Sequence, residues 1–388
     1  MTMGERDGGY SRRAVLRAMA GGSTVGLAGC ATAEVNRVAT TSEPTPGVAA
    51  PFNRTIDGVE LPVSGSEMYA ALAKDTIPAI VEPAFGADWS DVETPEGEPA
   101  ELPDDSPVIG VHRGGRARAY PLRILDWHEV VNDRLGGPLF VSYCVLCGSA
   151  VVAERTVDGT ATVFGVSGYL WRDDLVLYDR LTESLWSQLL ATAIQGPLTG
   201  TQLSLVPSSF TTWAEWRSIH PETEVLLPPP ASNTVEGREA TFDYFTPKYS
   251  FDEGQLIGYD REEDGVTPRT LVIGVEAGGV ARAYPFQAVE TAGVINDRVG
   301  GLPVVVTVTP GGSLAAYDRR VDGRVRTFSV EDESHLRAGG SLWERATGLA
   351  VDGRYEGQRL ESASEFGPMF WRGWKNFNPE SAVYGQSS

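Results

Sequence analysis

The sequence predicts a β-rich α+β fold in which two similar domains are built of short strands with a few short helices. Apolar segments of about five residues alternate with turns rich in glycine and aspartate, which is the pattern of short strands. Helical periodicity is restricted to two short segments. The 388 residues are 41% hydrophobic and 22% charged, which suits about two globular domains of ~100 to 200 residues each.

The predicted elements lie close together along the chain. Strands are expected at residues 107–111, 117–120, 138–143, 150–155 and 161–166. The pair Asp158-Gly159 favours a hairpin turn before the last of them, because both residue types tolerate positive φ. Short helices are expected at residues 123–131 and 212–219. Strands therefore dominate the prediction.

An internal repeat is the most informative feature of the chain. The sequence at 108–111 recurs 164 positions later at 272–275, and the same offset carries Arg118 to Arg282 and the Asn-Asp-Arg run at 132–134 to 296–298. The match resumes at an offset of 157 between 184–186 and 341–343, and at 158 between Trp216 and Trp374. We interpret the shared residues as scaffold, and residues present in one copy as candidates for chemistry.

Those candidates lie in the first copy. Cys144 and Cys147 are replaced by Val308 and Gly311 at the equivalent positions, and His128 is replaced by alanine. We therefore expect residues 67–235, the first half, to form the active domain. Residues 236–388, the second half, are expected to form a degenerate copy that packs against it or closes a cleft.

The N-terminal segment has the features of an export signal. Arg12 and Arg13 form a twin-arginine pair before a short apolar stretch, and the Leu-Ala-Gly run before Cys30 resembles a lipobox. The apolar stretch is shorter than the ~20 residues that a transmembrane helix needs. We expect residues 1–30 to be a twin-arginine signal with a lipobox and residues 31–66 to be a flexible tether. The mature protein is then lipid-anchored through Cys30 on the outer face of the cytoplasmic membrane.

The charge balance argues against a nucleic-acid partner. Thirty-two Lys and Arg residues against 52 Asp and Glu residues give a net charge of −20, which offers no basic surface for phosphates. A surface rich in carboxylates is typical of salt-adapted proteins, because high salt screens the repulsion between them. We expect a halophilic source, with an ordinary acidic protein as the alternative, and membrane contact through the lipid anchor only.

The run from Cys144 to Gly148 is predicted to be a tight turn between two strands. In thioredoxin-like pairs a helix follows and lowers the thiol pKa, whereas here a strand follows. Two sulfurs on one turn with a glycine after them are typical of a metal-binding knuckle. With Cys30 set aside, only Cys147 and Cys144 remain, so a complete site needs other ligands. A redox-active dithiol and an inert disulfide or pair of buried thiols are the alternatives.

His128 is the predicted third partner of the cysteines. It lies sixteen residues before Cys144 and is expected to be a metal ligand or a general base, with a packed core histidine as the alternative. Asp174 and Asp179 flank an apolar strand, and each is a candidate for orienting the histidine, binding a cation or acting as a general acid or base.

Two arginines and two further histidines are weaker candidates. Arg172 and Arg180 are candidates for binding an anionic substrate group, with surface ion pairs as the simpler interpretation. His112 is expected in an exposed turn, and His220 at a helix end where it caps carbonyl groups. No chemistry is assigned to either histidine.

The predicted function is the binding or handling of a soft transition metal, copper before zinc, by Cys144, Cys147 and His128. Asp174 or Asp179 is expected to hold these ligands in place. The alternative is an extracytoplasmic thiol-dependent or redox enzyme in which the cysteine pair acts with His128 on a small anionic molecule. A cell-surface interaction module with a structural cysteine pair is a third interpretation.

The segment from Val108 to Trp216 resembles a prokaryotic family known as domain of unknown function 3179. The resemblance rests on Ala-Tyr-Pro at 119–121, Trp-His-Glu at 127–129, Asn-Asp at 132–133, Tyr-Cys-x-x-Cys-Gly at 143–148, Phe-Gly-Val-Ser-Gly at 164–168 and Tyr-Asp-Arg-x-Thr-Glu-Ser-Leu-Trp-Ser-Gln at 178–188. Many relatives have proline after the first cysteine, where this chain has Val145. The resemblance covers the first half fully and the second weakly. It implies a lineage and supplies no reaction.

Overall fold

A computed structural model of the chain describes residues 54–56, 59–237, 242–245, 266–364 and 366–386. In chain order, the elements up to residue 237 are β1 (Arg54–Ile56), β2 (Val59–Leu61), β3 (Met68–Ala70), β4 (Ile80–Glu82), β5 (Phe85–Gly86), β6 (Pro107–Arg113), β7 (Arg116–Pro121), α1 (Leu122–His128), β8 (Val130–Arg134), β9 (Pro138–Cys144), β10 (Ser149–Glu154), β11 (Thr156–Val157), β12 (Thr160–Ala161), β13 (Phe164–Trp171), β14 (Asp174–Asp179), β15 (Leu185–Ser187), β16 (Thr192–Gln195), β17 (Ser209–Thr212), α2 (Trp213–Ile219), β18 (Glu224–Leu226) and β19 (Asn233–Thr234).

The second half repeats much of this order. Its elements are β20 (Leu271–Ala277), β21 (Val280–Pro285), α3 (Phe286–Ala292), β22 (Val294–Val299), β23 (Leu302–Val308), β24 (Leu314–Asp318), β25 (Arg320–Val321), β26 (Arg324–Val325), β27 (Ser329–Val330), β28 (His335–Ala338), β29 (Ser341–Glu344), β30 (Met369–Phe370), α4 (Trp371–Phe377) and β31 (Ala382–Val383). Short 3₁₀ helices occur at Gly65–Glu67, Val235–Gly237 and Gly353–Tyr355.

Within the described residues, six sheets of three or more strands form a propeller-like arrangement. Three sheets belong mainly to the first half, with strand orders β17-β6-β7-β18-β5, β10-β9-β8-β4-β19 and β16-β15-β14-β13-β3. Three belong to the second half, with orders β30-β20-β21-β31, β22-β23-β24 and β27-β28-β29. The predicted β-rich character is confirmed. The helical content is smaller than the α+β class suggests, because the four α-helices described have seven residues each.

Four of the five predicted strands are confirmed, and the fifth, at 161–166, is interrupted because β12 ends at Ala161 and β13 begins at Phe164. One predicted helix is too long. Residues 123–131 were expected to be helical, but α1 ends at His128 because Glu129 adopts a left-handed conformation with φ of 57°. Val130 and Val131 then lie on β8, where β9 pairs with both of them. Their β-branched side chains suit a buried strand better than a helix. The predicted helix at 212–219 is confirmed as α2, with the Thr212 side chain accepting a hydrogen bond at its N-terminus.

An asparagine found in both halves makes the same contacts in each. The side chain of Asn132 donates to the carbonyl of Phe164 and accepts from its N–H, both at 2.8 Å. Asn296 makes the same two bonds with Phe328, also at 2.8 Å. Buried amides need such partners, so these residues fix the segment that enters the next sheet.

An ion pair that is buried in the first half recurs, partly exposed, in the second. Arg118 donates to both carboxylate oxygens of Asp133 at 2.6 and 2.7 Å, and the hydroxyl of Tyr120 donates to the same carboxylate at 2.6 Å. In the second half, Arg282 lies 2.7 Å from Asp297. These shared residues support the framework of each half, as their presence in both copies indicates.

Each half also has a glycine covered by a tryptophan. A Cβ atom on Gly110 would lie 2.3 Å from the ring of Trp216, and one on Gly274 would lie 2.2 Å from the ring of Trp374. These distances are far below van der Waals contact. Glycine at this position therefore allows α2, and correspondingly α4, to lie directly on a strand.

Gly110→Ala is expected to destabilise the protein by about 1 to 3 kcal/mol, because the added methyl group must displace Trp216 from a packed core. Gly65→Ala is the matched control, since no atom lies within 4 Å of its added Cβ. Urea unfolding monitored by tryptophan fluorescence measures both variants. Equal stability of the Gly110 and Gly65 variants would contradict the packing argument.

The two halves share one buried cluster. Cys144 and Cys147 pack in it with Met369 and Trp371 of the second half, and the described residues all belong to one compact unit. In the described part of the chain, no helix has the length and apolar character needed to cross a membrane. The predicted signal with Arg12, Arg13 and Cys30 lies outside the described residues, as do residues 31–53, 57 and 58 of the predicted tether. The described part of that tether includes β2, and Val59, Leu61 and Val63 are buried in it.

Candidate functional site

The two cysteines lie on the turn of the hairpin formed by β9 and β10. Cys144 is the last residue of β9 and pairs with Ser149, the first residue of β10. Gly148 has a φ of 60°, which favours glycine at this point of the turn. The N–H of Cys147 donates to the sulfur of Cys144 at 3.3 Å. The expected turn between two strands, with no helix after it, is confirmed.

The two sulfur atoms are close together and buried. They lie 2.8 Å apart, and Cys144 and Cys147 are 2% and 1% exposed. Both are free cysteines. Their spacing falls between the ~2.05 Å of a disulfide bond and the roughly 3.8 Å of two sulfurs on one tetrahedral zinc ion. Small rotations of the side chains lead to either state.

Asp174 is the carboxylate that meets the cysteines. It is the first residue of β14, and one of its oxygens lies within 4.8 Å of both sulfurs. The hydroxyl of Ser187 donates to Asp174 at 2.5 Å, and the N–H of Leu189 donates to it at 3.2 Å. Complete burial raises the pKa of Asp174 to about 7, although these hydrogen bonds partly oppose the shift. The group therefore changes charge near neutral pH.

The residues that follow β15 connect Asp174 to the cysteine turn. Ser187 bonds to Asp174, while the side chain of Gln188 accepts from the hydroxyl of Ser149 at 3.0 Å and donates to its carbonyl at 3.2 Å. Ser149 follows the turn directly. The Ser-Gln end of the long sequence motif thus fixes both parts of the site. No such role was predicted for Ser187 and Gln188 from the sequence, although their place in the motif was a signal.

The thiol of Cys147 is held in its neutral form. Burial raises its pKa well above the usual value, and its contact with Cys144 and the nearby Asp174 carboxylate raise it further. A buried thiol of this kind is a poor nucleophile at neutral pH. A bound cation would reverse this effect, because a metal ion stabilises the thiolate.

The hairpin between β13 and β14 places a carbonyl group beside the sulfurs. Its two turn residues, Arg172 and Asp173, have φ values of 50° and 66°, a left-handed conformation that costs about 1 kcal/mol or more for residues other than glycine. The carbonyl oxygen of Asp173 lies 3.3 Å from the sulfur of Cys147 and 4.0 Å from that of Cys144.

The second half covers the cysteine turn. The N–H of Phe370 donates to the carbonyl of Cys147 at 2.7 Å. A Cβ on Gly373 of α4 would lie 3.0 Å from the Cβ of Cys147, and one on Gly148 would lie 2.6 Å from the ring of Phe370. The turn is therefore closed by direct packing of β30 and α4.

His128, the predicted third ligand, lies apart from this group. It is the fully buried last residue of α1. Its Nδ1 lies 2.7 Å from the carbonyl of Pro78, so in the neutral ring Nδ1 carries the proton, and Nε2 accepts from the hydroxyl of Tyr244 at 2.7 Å. Among the described residues, the group of three ligand atoms is completed by Asp174 and not by His128. Both ring nitrogens are engaged elsewhere, which leaves no nitrogen directed at the sulfurs.

Asp179 also has a role away from the cysteines. Its carboxylate accepts from the N–H of Leu181, from the N–H and hydroxyl of Thr182, and from the indole of Trp186. These four bonds close the turn between β14 and β15. The structure therefore places Asp179 in a turn and Asp174 at the sulfurs.

The weaker candidates lie on or near the surface. Arg172 and Arg180 are exposed, and the guanidinium of Arg172 lies 4.9 Å from the centroid of the Trp171 ring. His112 is exposed at the end of β6 and stacks on His220 with ring centroids 5.0 Å apart.

The equivalent turn of the second half, at 308–312, contains no cysteine. It lies between β23 and β24, and α2 approaches it as α4 approaches the cysteine turn. A Cβ on Gly311 would lie 2.1 Å from a carboxylate oxygen of Glu215 and 2.5 Å from the hydroxyl of Thr211. The two junctions between the halves thus have the same plan, and the sulfur chemistry is confined to one.

The comparisons with known proteins identify a family. No curated protein and no solved structure matches the chain. The family model described as "Protein of unknown function (DUF3179)" matches residues 74–381, which include both cysteines, Asp174 and all of α4. The match extends over most of the chain and through both halves. The chain therefore belongs to the DUF3179 family of proteins of unknown function.

Proposed function

We propose that this protein binds one transition-metal ion, zinc before copper, through Cys144, Cys147 and Asp174. The observation that carries the proposal is the approach of two sulfurs and one carboxylate oxygen, all of buried residues, to within 4.8 Å of one another. Three ligand atoms of these types at such distances are what a tetrahedral metal site needs, once a fourth ligand is supplied.

The ligand types favour zinc. Zinc binds both thiolate sulfur and carboxylate oxygen, whereas thiolate together with imidazole favours copper. The sequence-based preference for copper depended on His128. With Asp174 in that place, zinc becomes the first choice and copper the second.

The thiol-dependent enzyme is the competing proposal, and the burial of the site opposes it. A catalytic thiol must reach its substrate and ionise near neutral pH. Cys147 is 1% exposed, burial raises its pKa, and β30 and α4 cover the turn. A metal ion needs no such open access once it is bound, and it stabilises the ionised thiols.

The cellular setting that we propose follows from the sequence. The twin-arginine pair and Cys30 support export and a lipid anchor on the outer face of the cytoplasmic membrane. The twin-arginine route carries folded proteins, which suits a site in the first half that is covered by residues of the second half. The repeated Asn132 and Asn296 contacts support an origin of the two halves by duplication.

Metal content provides the test. The reduced protein, dialysed against zinc in a defined salt buffer, is expected to retain one zinc per chain by elemental analysis. Cys147→Ser and Asp174→Asn each remove a ligand and are expected to lower retention to a small fraction. Asp332→Asn, which removes a carboxylate that is 55% exposed, is the matched control and is expected to retain the metal. Absence of zinc and copper from the wild type with free thiols would refute the proposal.

A further inference from the structure

We propose that the main-chain carbonyl oxygen of Asp173 is the fourth ligand of the metal, and that α4 of the second half holds it in position. This inference rests on the metal site proposed above. The oxygen lies 3.3 Å from the sulfur of Cys147 and 4.0 Å from that of Cys144. Zinc bonds of about 2.3 Å to sulfur and 2.1 Å to oxygen separate these atoms by roughly 3.6 Å in a tetrahedral site. The two distances lie on either side of this value.

The hydrogen-bond chemistry of this oxygen also changes when a metal binds. In the thiol form, the S–H of Cys147 donates to the carbonyl of Asp173. A metal ion displaces the thiol proton, and the donor is lost. Leaving a buried carbonyl oxygen without a hydrogen-bond donor costs free energy. A cation bound between the sulfurs removes this cost, because a lone pair of the oxygen is already directed at them.

The hairpin that carries this oxygen is held by residues of α4. The guanidinium of Arg372 contacts both carboxylate oxygens of Asp173, at 2.5 and 2.7 Å. The side-chain amide of Asn376 donates to the same carboxylate at 2.9 Å and to the carbonyl of Arg172 at 2.8 Å. These bonds fix a turn whose two residues both have positive φ. Arg372 and Asn376 therefore act as positioning residues for the carbonyl oxygen.

The repeat shows that this arrangement belongs to the cysteine junction. At the offset of 158 that relates Trp216 to Trp374, Arg372 corresponds to Ala214 and Asn376 to Ser218. Neither Ala214 nor Ser218 has a side chain that could hold a hairpin in this way. The cysteines are found only in the first half, and the residues that hold the hairpin over them only in the second.

Arg372→Met tests the inference, because it removes the bonds to Asp173 and keeps much of the side-chain volume. Zinc affinity is measured by competition with a chelator, and the protein loaded with Co²⁺ is examined by absorption spectroscopy. We expect a loss of zinc affinity of about 10- to 100-fold, which is usual when a residue that orients a ligand is removed. The sulfur-to-cobalt charge-transfer band is expected to remain, while the visible ligand-field bands change with the loss of the oxygen ligand.

Lys375→Met is the matched control. It removes one positive charge from the same helix, but the Lys375 ammonium contacts the ring of Trp371, at 5.3 Å from its centroid. It is expected to leave zinc affinity and the cobalt spectrum unchanged. If Arg372→Met does not fold, Asn376→Ser, which introduces the residue of the first half, is expected to lower the affinity by a smaller factor with the same spectral change.

The outcomes separate this inference from the proposed function. Wild-type affinity and an unchanged cobalt spectrum in a folded Arg372 or Asn376 variant would overturn the fourth ligand and leave the metal site in place. An equal loss of affinity in Lys375→Met would also overturn it, because the charge alone would then explain the effect. A wild-type protein that binds neither zinc nor Co²⁺ would overturn both.

Discussion

Asp174→Asn is expected to become more stable relative to the wild type as the pH of the metal-free protein rises from about 4 to about 7. In the folded protein the pKa of Asp174 is about 7, against 3.8 as the usual value. Between these values the folded state binds more protons than the unfolded state, so the wild type loses stability as the pH rises. At about 1.4 kcal/mol for each unit of pKa shift, the change amounts to about 4 kcal/mol at most. Asparagine does not ionise, so the Asp174→Asn variant does not lose stability in this way.

The measurement is the free energy of urea unfolding of both proteins in the presence of a chelator, across this pH range. Asp297→Asn is a control of opposite sign. Burial raises the pKa of Asp297, but hydrogen bonds from Arg298, Arg282 and Tyr284 outweigh it, so the pKa is lowered. Its carboxylate stabilises the fold at neutral pH. The loss of stability caused by Asp297→Asn is expected to disappear as the pH falls through the pKa of Asp297 in the folded protein. If the difference in unfolding free energy between the wild type and Asp174→Asn did not change with pH, the effect of burial on the Asp174 carboxylate would be contradicted.

Zinc is expected to raise the free energy of unfolding of the wild type by about 4.1 kcal/mol when the free ion is present at 1,000 times its dissociation constant. The reason is that the ion binds the folded site and has much weaker sites in the unfolded chain. A chelator is expected to abolish the gain. The change is followed by unfolding in urea at fixed salt, because salt also affects the repulsion between the many carboxylates.

Cys147→Ser and Asp332→Asn separate a specific effect from a general one. The first lacks a ligand and is expected to show the same stability with zinc as with the chelator. The second keeps the site and is expected to gain as much stability as the wild type. A zinc effect of equal size in Cys147→Ser would mean that the ion stabilises the fold from another place.

The cysteine turn and the strands around it were predictable from local sequence. Alternating apolar residues and the glycines after Cys147 and Asp158 define strands and hairpins within a few residues. The end of α1 was not predicted, because the buried pairing of Val130 and Val131 on β8 is a tertiary effect. Local pattern therefore gave the hairpins, and packing decided where the short helix ends.

The choice between Asp174 and His128 at the sulfurs depended on contacts between distant segments. His128 is occupied by Pro78, fifty residues earlier, and by Tyr244, 116 residues later. Asp174 reaches the sulfurs because the β13–β14 hairpin lies over the cysteine turn. No local spacing encodes either contact. The two halves did contain a usable signal for Arg372, since comparison of the repeats also shows which residues are peculiar to the second copy.

The order in which the site forms follows from the distance along the chain between its parts. Asp173 and Arg372 are 199 residues apart, and contacts that close such long loops form late, because the chain entropy lost on closure has to be overcome first. During synthesis the cysteine turn and the hairpin emerge well before α4. In the proposed site, tight metal binding therefore requires the complete, folded chain. A chain that stops before α4 has both thiols and the carboxylate but lacks Arg372 and Asn376, so we expect it to bind the ion weakly.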